Sequence, residues 1–286
     1  MKTMVEELRK KAEELLRSGK VEAIIGYQRS NGSASTTPCF IEAEDEVTRL
    51  VWDEHCVYNL TLYLKEMKKK AGVVAKGCDA KAVVALIQEN QIERDQVQII
   101  GVECERQLDG KGRVLEKCKT CQVHIPGIYD VLIRSKTPTS KTEKEELAEE
   151  DDAVRELEAK PVSERWRFWQ KQFEKCIRCY ACRQICPLCY CPECITEKTM
   201  PQWILPSPSL KGNTAWNVVR AFHLAGRCVD CGECERVCPV GIPLRKLNKK
   251  LEKEIKTMFD YVPGLDPEKK PPLTDFRMDD PEEFVR

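Results

Sequence analysis

The chain has 286 residues, enough for about two domains, and its 47 basic and 47 acidic side chains leave no net charge. That balance excludes the basic surface typical of nucleic-acid-binding proteins, and no apolar run reaches the roughly 18 residues that a membrane helix needs. Seventeen cysteines, in a sequence that starts without an apolar secretory leader, favour reduced thiols that bind metal over disulfides. We therefore expect a cytoplasmic chain without a transmembrane segment.

The predicted elements of the first half alternate between helix and strand. Residues 1–20 predict an N-terminal helix, because their apolar side chains recur close to a 3.6-residue period. A strand in VEAIIGYQRS, a loop in NGSASTTP and a helix over residues 47–64 are predicted next. Two buried strands follow at residues 72–75 and 97–102, with a helix between them. This order predicts an α/β domain over residues 21–135 with a small mixed or parallel sheet.

The second half predicts a mainly α-helical domain over residues 161–245. It begins with a helix that carries an aromatic stripe and leads into the first of two cysteine motifs. The stripe consists of Trp166, Trp169 and Phe173. Packing over that motif is the simplest interpretation, and contact with a partner is the alternative. A second helix, with Thr214 as its predicted cap and Gly226 at its end, precedes the other motif.

Two segments are predicted to lie outside these domains. Residues 136–160 are dominated by acidic and basic side chains, which indicates a solvated linker; an acidic docking segment is the alternative. Residues 246–286 predict a basic helix and then a C-terminal extension rich in Pro, Asp and Glu. Such an extension has too little apolar surface for a core of its own. We expect it to wrap across this protein or a neighbouring subunit.

Two copies of one cysteine spacing indicate the chemistry of the second domain. The pattern C-x2-C-x2-C-x3-C, followed by proline, occurs at residues 176–186 and again at residues 228–238. This is the spacing of bacterial two-cluster ferredoxins, in which the fourth cysteine of each run ligates the other 4Fe-4S cluster. Cluster I is therefore assigned Cys176, Cys179, Cys182 and Cys238. Cluster II is assigned Cys228, Cys231, Cys234 and Cys186. Structural zinc is the alternative, although it usually takes paired C-x2-C motifs rather than triplets.

Four cysteines of the first half lie at predicted strand ends or turns, where ligands of α/β folds converge. They are Cys78, Cys104, Cys118 and Cys121. Spacing alone is compatible with one further 4Fe-4S cluster, which we call cluster III. It leaves two alternatives open: an inert buried cysteine at Cys78 or Cys104, and half of a zinc site at Cys118 and Cys121.

The segments around these four cysteines resemble the coenzyme F-420 hydrogenase and dehydrogenase beta subunits. The turn AKGCDA, the strand end IIGVEC and a C-x2-C ahead of IYDVLI occur in the family's order within residues 21–135. The resemblance implies that Cys78, Cys104, Cys118 and Cys121 ligate one cluster. The family's glycine-rich G-G-x-V-T-A-L segment, which helps to build its flavin and deazaflavin site, has no counterpart in EDEVTRLVWDEHCVYNLTLYLKE. This departure argues against bound FAD.

The CPLCYCPEC insert after the first motif supplies three more thiols. Cys189, Cys191 and Cys194 predict an additional metal site, completed by Cys39 or Cys56, that holds a cluster or zinc. An alternative ligand to cluster II is the other possibility. The dicluster domain with this insert resembles iron–sulfur subunits of heterodisulfide reductase-like, hydrogenase and formate dehydrogenase complexes. Partner redox subunits of those kinds are therefore expected.

The sequence predicts an iron–sulfur electron-transfer subunit that relays single electrons between partner subunits of an anaerobic oxidoreductase complex. No arrangement of acid, base or nucleophile is evident, and the sequence lacks G-x-G-x-x-G, Walker A and serine-elbow motifs. One alternative is a flavin-containing oxidoreductase that reduces coenzyme F-420 or a similar two-electron carrier. Another is a structural adaptor built around zinc, which would contain no iron.

Overall fold

A five-stranded mixed sheet organises the first half of the chain. The computed structural model describes residues 2–30, 34–135, 152–274, 276 and 278. The strands are β1 Ala23–Arg29, β2 Thr36–Ile41, β3 Ala71–Ala75, β4 Val97–Val102 and β5 Val131–Ile133. Their order is β2-β1-β3-β4-β5, with β2 antiparallel to β1 and the other pairs parallel. The predicted α/β class with a small mixed sheet is confirmed.

Helices cover the sheet and build the second half. Within the described residues the α-helices are α1 Lys2–Arg17, α2 Gly77–Gln88, α3 Glu116–Lys119, α4 Asp152–Glu158, α5 Val162–Glu174, α6 Ala181–Gln184, α7 Leu210–His223, α8 Glu233–Arg236 and α9 Leu244–Phe259. Three 3₁₀ helices span Glu44–Arg49, Leu60–Glu66 and Arg94–Gln96. No described helix is long and apolar enough to cross a membrane.

The predicted strands follow from continuous apolar runs. All five residues of β3 are buried, and β4 buries every residue except Gln98, as expected where helices cover both faces of parallel strands. The side chains of α1 at Leu8 and Ala12 complete the core over this sheet. These elements lie where the sequence predicted them.

Two predictions for the first half are wrong. Thr36, Thr37 and Pro38 lie in the edge strand β2 rather than in a loop; an edge position tolerates a proline that cannot donate to a ladder. Residues 47–64 form no single α-helix. The segment instead contains the end of one 3₁₀ helix and the start of another, because buried Leu50, Trp52 and other apolar side chains turn inward without helical periodicity. Residues 31–33 of the predicted loop lie outside the described residues.

The start of α7 also differs from the prediction. The helix begins at Leu210, and Ser209 caps it by accepting a hydrogen bond from Gly212 N at 3.2 Å. Thr214 therefore lies inside the helix, because a serine directly after the proline-rich stretch supplies the cap one turn earlier. The predicted end is correct: Gly226 adopts a φ of 71°, which favours glycine.

The second half packs against α2. Ala82, Ala85 and Leu86 of this helix share one apolar cluster with Leu188 and Leu224. At its C-terminal end Glu89 forms an ion pair with Arg227, with 2.6 Å between Oε1 and Nε. The two halves are thus joined by a buried apolar contact and an ion pair on one helix.

The C-terminal extension also crosses α2. Gln88 Nε2 donates to the carbonyl oxygens of Asp266, Pro267 and Lys269 at 2.9–3.2 Å. Gly264, with a φ of 70°, lies so close to Lys81 that a Cβ would meet the Lys81 carbonyl oxygen at 2.0 Å. The described part of the extension therefore wraps across this protein. Residues 136–151 of the predicted linker lie outside the described residues.

Candidate iron–sulfur centres

The two cysteine motifs of the second half have the same backbone shape. Arg178 and Asp230, each two residues after the first cysteine of its motif, adopt φ of 58° and 56°. Tyr180 and Gly232, each two residues further on, adopt φ of 59° and 69°. A one-turn helix follows each loop, α6 in the first copy and α8 in the second. Two left-handed residues curl each loop around its first three thiols, so the repeat in sequence is also a repeat in structure.

The predicted ligands of cluster I lie around one cavity. Cys176, Cys179, Cys182 and Cys238 all line it. Apolar side chains, including Trp216 and Ile242, form its walls. Burial raises the pKa of the Cys182 thiol to about 11; Arg220 opposes the rise, and the other three cysteines of the set add to it. The Cys182 thiol therefore keeps its proton at neutral pH unless a cationic iron–sulfur core displaces that proton.

The predicted ligands of cluster II are also neighbours. Burial raises the pKa of Cys234 to about 12, against the effect of Arg220 and with a contribution from Cys186. Burial and then the Cys186 charge raise the pKa of Cys231, and Cys234 has the same effect on Cys228. The fourth cysteine of the first motif therefore lies with the first three of the second, as the ferredoxin rule predicts.

The structure also brings the four cysteines of the first half together. Burial raises the pKa of Cys78 to about 12, and Cys104 adds to the rise. Cys118 has the same effect on Cys104 and on Cys121. Gly77 allows the segment after the C-x2-C pair to lie close to α2, because a Cβ at Gly77 would lie 2.0 Å from the Val123 carbonyl oxygen. The glycine lets the C-x2-C loop press against the start of α2, where Cys78 is held.

Nitrogen donors point at the sulfurs of all three sets. Gln107 donates from its backbone N to Cys118 Sγ at 3.3 Å and from Nε2 to Cys104 Sγ at 3.2 Å. Ile242 N donates to Cys238 Sγ at 3.3 Å, and Asn248 Nδ2 lies 3.7 Å from Cys234 Sγ. Hydrogen bonds to sulfur stabilise the more negative, reduced state of an iron–sulfur cluster and so raise its potential.

The donor sets fit cubanes better than single ions. Within the described part of the chain, no three His, Cys, Asp or Glu side chains approach closely enough to hold one metal ion. Zinc needs four ligand atoms about 2.0–2.3 Å from one point, whereas a 4Fe-4S cluster takes one thiolate at each of four irons. Three separate sets of four thiols therefore suit three clusters, and the assignment of each ligand stays a prediction.

The five remaining cysteines occupy different places. Cys39 and Cys56 belong to the apolar core around the sheet, and burial raises the pKa of Cys39 to about 11 and of Cys56 to about 12. Cys189 packs in the cluster of apolar residues beside α2, where its thiol hydrogen-bonds Cys186 and lowers the pKa of Cys186. Cys191 is exposed, and Cys194 Sγ lies 3.0 Å from Thr196 Oγ1. The additional metal site stays a prediction, with Cys189 beside a predicted ligand of cluster II.

The sequence did not predict a role for three polar residues that lie near the thiols. Gln107, Lys117 and Arg220 are all buried. Lys117 precedes Cys118 directly, and Arg220 lies in the last turn of a helix that carries no cysteine. No spacing rule marks such positions, because only the packing of distant segments turns them toward the sulfurs.

Comparison with known proteins identifies the region that holds the two motifs. Residues 175–243 match the family model of the 4Fe-4S dicluster domain. This part of the chain is a 4Fe-4S dicluster domain. Its matched range contains all eight cysteines assigned to clusters I and II. The match supports iron–sulfur clusters at the two cysteine motifs.

Two curated relatives match the chain along nearly its whole length. One is the F420-dependent formate dehydrogenase subunit beta of Methanocaldococcus jannaschii, 25% identical over 356 alignment positions that cover 91% of this chain and 91% of the relative. The other is the F420-dependent formate dehydrogenase 1 subunit beta of Methanococcus maripaludis, 24% identical, with coverage of 91% and 90%. The resemblance to coenzyme F-420 beta subunits is confirmed.

A solved structure matches a smaller part. It is a chain of the F420-reducing [NiFe] hydrogenase complex from Methanosarcina barkeri, 16% identical, with a TM-score of 0.32. The match covers 38% of this chain and 43% of that one.

Proposed function

We propose that this chain is an iron–sulfur electron-transfer subunit of an anaerobic oxidoreductase complex, and that its three clusters form one path for single electrons. The observation that carries the proposal is the continuity of the three cysteine sets. Cluster III borders cluster II, and cluster II borders cluster I. An electron that enters at one end of the series can therefore pass from each cluster to an adjacent one.

Buried charges join the cluster III region to the cluster II loop. Lys117 Nζ lies 3.8 Å from Glu233 Oε1, and the Lys117 side chain packs against Gly232 between two cluster II cysteines. Arg245 hydrogen-bonds Asp230 at 2.7 Å and Thr120 Oγ1 at 2.9 Å. Thr120 lies within the C-x2-C pair, so one guanidinium ties both loops together.

The predicted ligands of clusters II and I share apolar neighbours. Cys182 and Cys234 belong to one apolar cluster, closed by Trp216 of α7 and Ile242 before α9. Because these side chains exclude water, the charges on the two predicted clusters interact strongly. Cys179 of cluster I is exposed, which places the outer end of the path at the protein surface.

The bound clusters would supply one-electron chemistry with little change in geometry. The residues of this chain need only hold the sulfurs, donate hydrogen bonds to them and exclude solvent. Those tasks match the observed loops, the nitrogen donors around each set and the apolar walls. No proton transfer or bond cleavage by a side chain is required.

A flavin-containing enzyme that reduces coenzyme F-420 is the second candidate, because both relatives are named F420-dependent. Two observations favour the electron path instead. The alignment with the Methanocaldococcus protein runs to 356 positions against 286 residues here, so this chain has gaps at 70 or more of them. In place of the glycine-rich segment, buried Leu50, Trp52 and Leu60 pack onto the sheet.

Anaerobic purification of the full chain tests the proposal. We expect brown protein with about twelve irons, no flavin absorbance and no reduction of coenzyme F-420. The protein should accept electrons from dithionite and pass them to an artificial acceptor. Stoichiometric flavin with turnover of coenzyme F-420 would establish the enzyme instead, and zinc without iron would exclude both functions.

The partners are proposed on the same basis. Formate dehydrogenase, hydrogenase or heterodisulfide reductase-like catalytic subunits would exchange electrons with the ends of the path. A tagged full-length chain, purified anaerobically from its own host, should carry such a subunit in fixed stoichiometry. A chain that purifies with none of them at native expression would contradict the assignment to a complex.

A further inference from the structure

Helix α7 presents a buried polar stripe to the dicluster domain. Asn213, Asn217 and Arg220 recur at helical spacing and are all at least nine-tenths buried. Asn213 Nδ2 donates to the Cys176 carbonyl oxygen, and Arg220 Nη2 donates to the Cys182 carbonyl oxygen, each at 2.8 Å. The helix therefore follows the backbone of the first cysteine motif along its length.

Arg220 differs from the other members of the stripe because it carries a charge. Its side chain is only 6% exposed, and no ion pair to a carboxylate is found for it among the described residues. Its Nε has no hydrogen-bond partner within the part of the chain that the structure describes. A buried guanidinium is strongly unfavourable unless opposite charge lies close by.

The Arg220 guanidinium lies among cysteines of both motifs. Its Nη2 donates to the Cys182 carbonyl oxygen, and Cys182 shares one apolar cluster with Cys234. Burial disfavours the charge of Arg220, yet Cys189, Cys186, Cys234 and Cys182 outweigh burial and raise the pKa of Arg220. Cys182 is a predicted ligand of cluster I, Cys186 and Cys234 are predicted ligands of cluster II, and Cys189 is assigned to neither. The guanidinium therefore lies where the two predicted clusters meet, beside thiols that favour its charge.

A hydrogen bond to the Cys182 carbonyl explains only part of this arrangement. A neutral amide could make the same bond, as Asn213 does at Cys176. Arg178 shows how this protein otherwise buries a guanidinium without a carboxylate: its charge lies 5.6 and 5.5 Å from the ring centroids of Tyr180 and Trp216. No such aromatic contact is found for Arg220 in the described part of the chain.

We propose that Arg220 is the shared counter-ion of clusters I and II and raises the reduction potential of both. This inference rests on the proposed function. When a low-potential donor reduces either cluster, one electron enters, no bond breaks and the cluster becomes more negative by one charge. A fixed cation at the junction stabilises that state. Arg220 therefore acts through its charge on the reduction potentials, as a positioning residue and not as a catalytic residue.

The full-length chain carrying Arg220→Gln tests the inference, with Arg220→Lys as the variant that keeps the charge. Arg227→Gln is the matched control, because Arg227 is paired with the Glu89 carboxylate. Each protein is titrated with dithionite at measured solution potentials while electron paramagnetic resonance reports each cluster. Iron content shows first whether the clusters are bound.

Arg220→Gln should lower the ratio of reduced to oxidised cluster, for both ferredoxin-type clusters at a given potential, by on the order of tenfold. That change equals about 59 mV for a one-electron couple. Cluster III and the Arg227→Gln control should stay at wild-type values, and Arg220→Lys should lie close to wild type. Unchanged potentials in an Arg220→Gln protein with full iron overturn the inference.

If Arg220→Gln loses iron, its reduction potentials cannot be measured, and the comparison is made with Arg220→Lys instead. If the lysine variant keeps both clusters near wild-type potentials, a cation at this position is what the pair requires. If the lysine variant loses them as well, charge is not the essential property and the inference fails. Wild-type protein without iron would instead refute the proposed function, which separates the two failures.

Discussion

The buried ammonium of Lys117 lies 3.8 Å from the carboxylate of Glu233 and so connects the two halves of the molecule at the edge of two cysteine sets. Glu233 also accepts a bidentate contact from Arg236, at 3.0 and 2.6 Å. Burial disfavours the charge of Lys117, yet Cys78 and Glu233 outweigh it and raise the pKa of Lys117. One cation therefore faces a predicted ligand of cluster III on one side and the predicted cluster II loop on the other.

Lys117→Met should lower the reduction potentials of clusters II and III and leave cluster I nearly unchanged. The reason is that a methionine fills the same space without the charge that stabilises each reduced cluster. Redox titration followed by electron paramagnetic resonance measures the shifts. Lys119→Met is the control, since Lys119 pairs with Glu116 at the surface. Equal shifts in all three clusters would contradict a local effect.

Gln107→Leu should lower the potential of cluster III alone. The substitution removes the Nε2 donor to Cys104 Sγ, while the backbone donor to Cys118 Sγ remains. Loss of one hydrogen bond to sulfur makes the reduced cluster less stable. Gln96→Leu, at a position whose side-chain amide donates to the neighbouring Asp95, should leave every potential unchanged. A cluster III potential equal to wild type would show that this donor has no role.

Gly77→Ala should remove about four irons and spare the ferredoxin-type pair. A Cβ at this position would lie 2.0 Å from the Val123 carbonyl oxygen, so the C-x2-C loop must move away from Cys78. Gly110→Ala is the matched control, because nothing lies within 4 Å of a Cβ built there. Iron analysis measures the loss of cluster III, and the spectra of clusters I and II show whether that pair is intact. Full iron in Gly77→Ala would contradict the assignment of Cys78.

Cysteine-to-serine changes should separate the three sets. Cys118→Ser should cost one cluster and leave the signals of clusters I and II intact. Cys182→Ser should damage the pair, because a cubane left with three thiolates loses iron readily. Cys39→Ser serves as the control, since Cys39 lies in the core of the sheet. The same pattern of iron loss from Cys118→Ser and Cys182→Ser would refute separate sets.

The contact of α4 with α9 should weaken in acid. Hydrogen bonds from Lys250 and Lys253 lower the pKa of Glu158 below its usual 4.5. A lowered folded-state pKa means that the stabilisation is complete above the unfolded-state pKa and disappears as the pH falls through the folded-state value. The contribution is at most about 1 kcal/mol, as for partly exposed pairs.

Thermal unfolding of wild type and Glu158→Gln, measured from neutral pH downward, checks this. The variant should be less stable at pH 7, and the difference should shrink below about pH 4.5. A difference that persists unchanged in acid would assign the effect to packing rather than charge.

Much of the fold follows from local pattern. Strands β3 and β4 are short apolar runs buried on all sides, and α2 follows a glycine turn with Asp79 in its first turn. Local pattern fails at residues 47–64. Their apolar side chains are as frequent as in a helix, but Leu50 and Trp52 pack toward the sheet without helical spacing, because the tertiary fold determines their positions.

The sequence by itself determined the chemistry of the dicluster domain, because each motif places three thiols on one tight loop and local spacing is all that such a site requires. It also determined the likeness to coenzyme F-420 beta subunits. Only the tertiary structure decided which polar groups lie beside the cysteine sets. Gln107, Lys117 and Arg220 approach the cysteine loops from a loop, a short helix and a long helix, each through packing of distant segments. Contacts of that kind depend on how helices, strands and loops pack together, so the spacing of residues along the chain does not predict them.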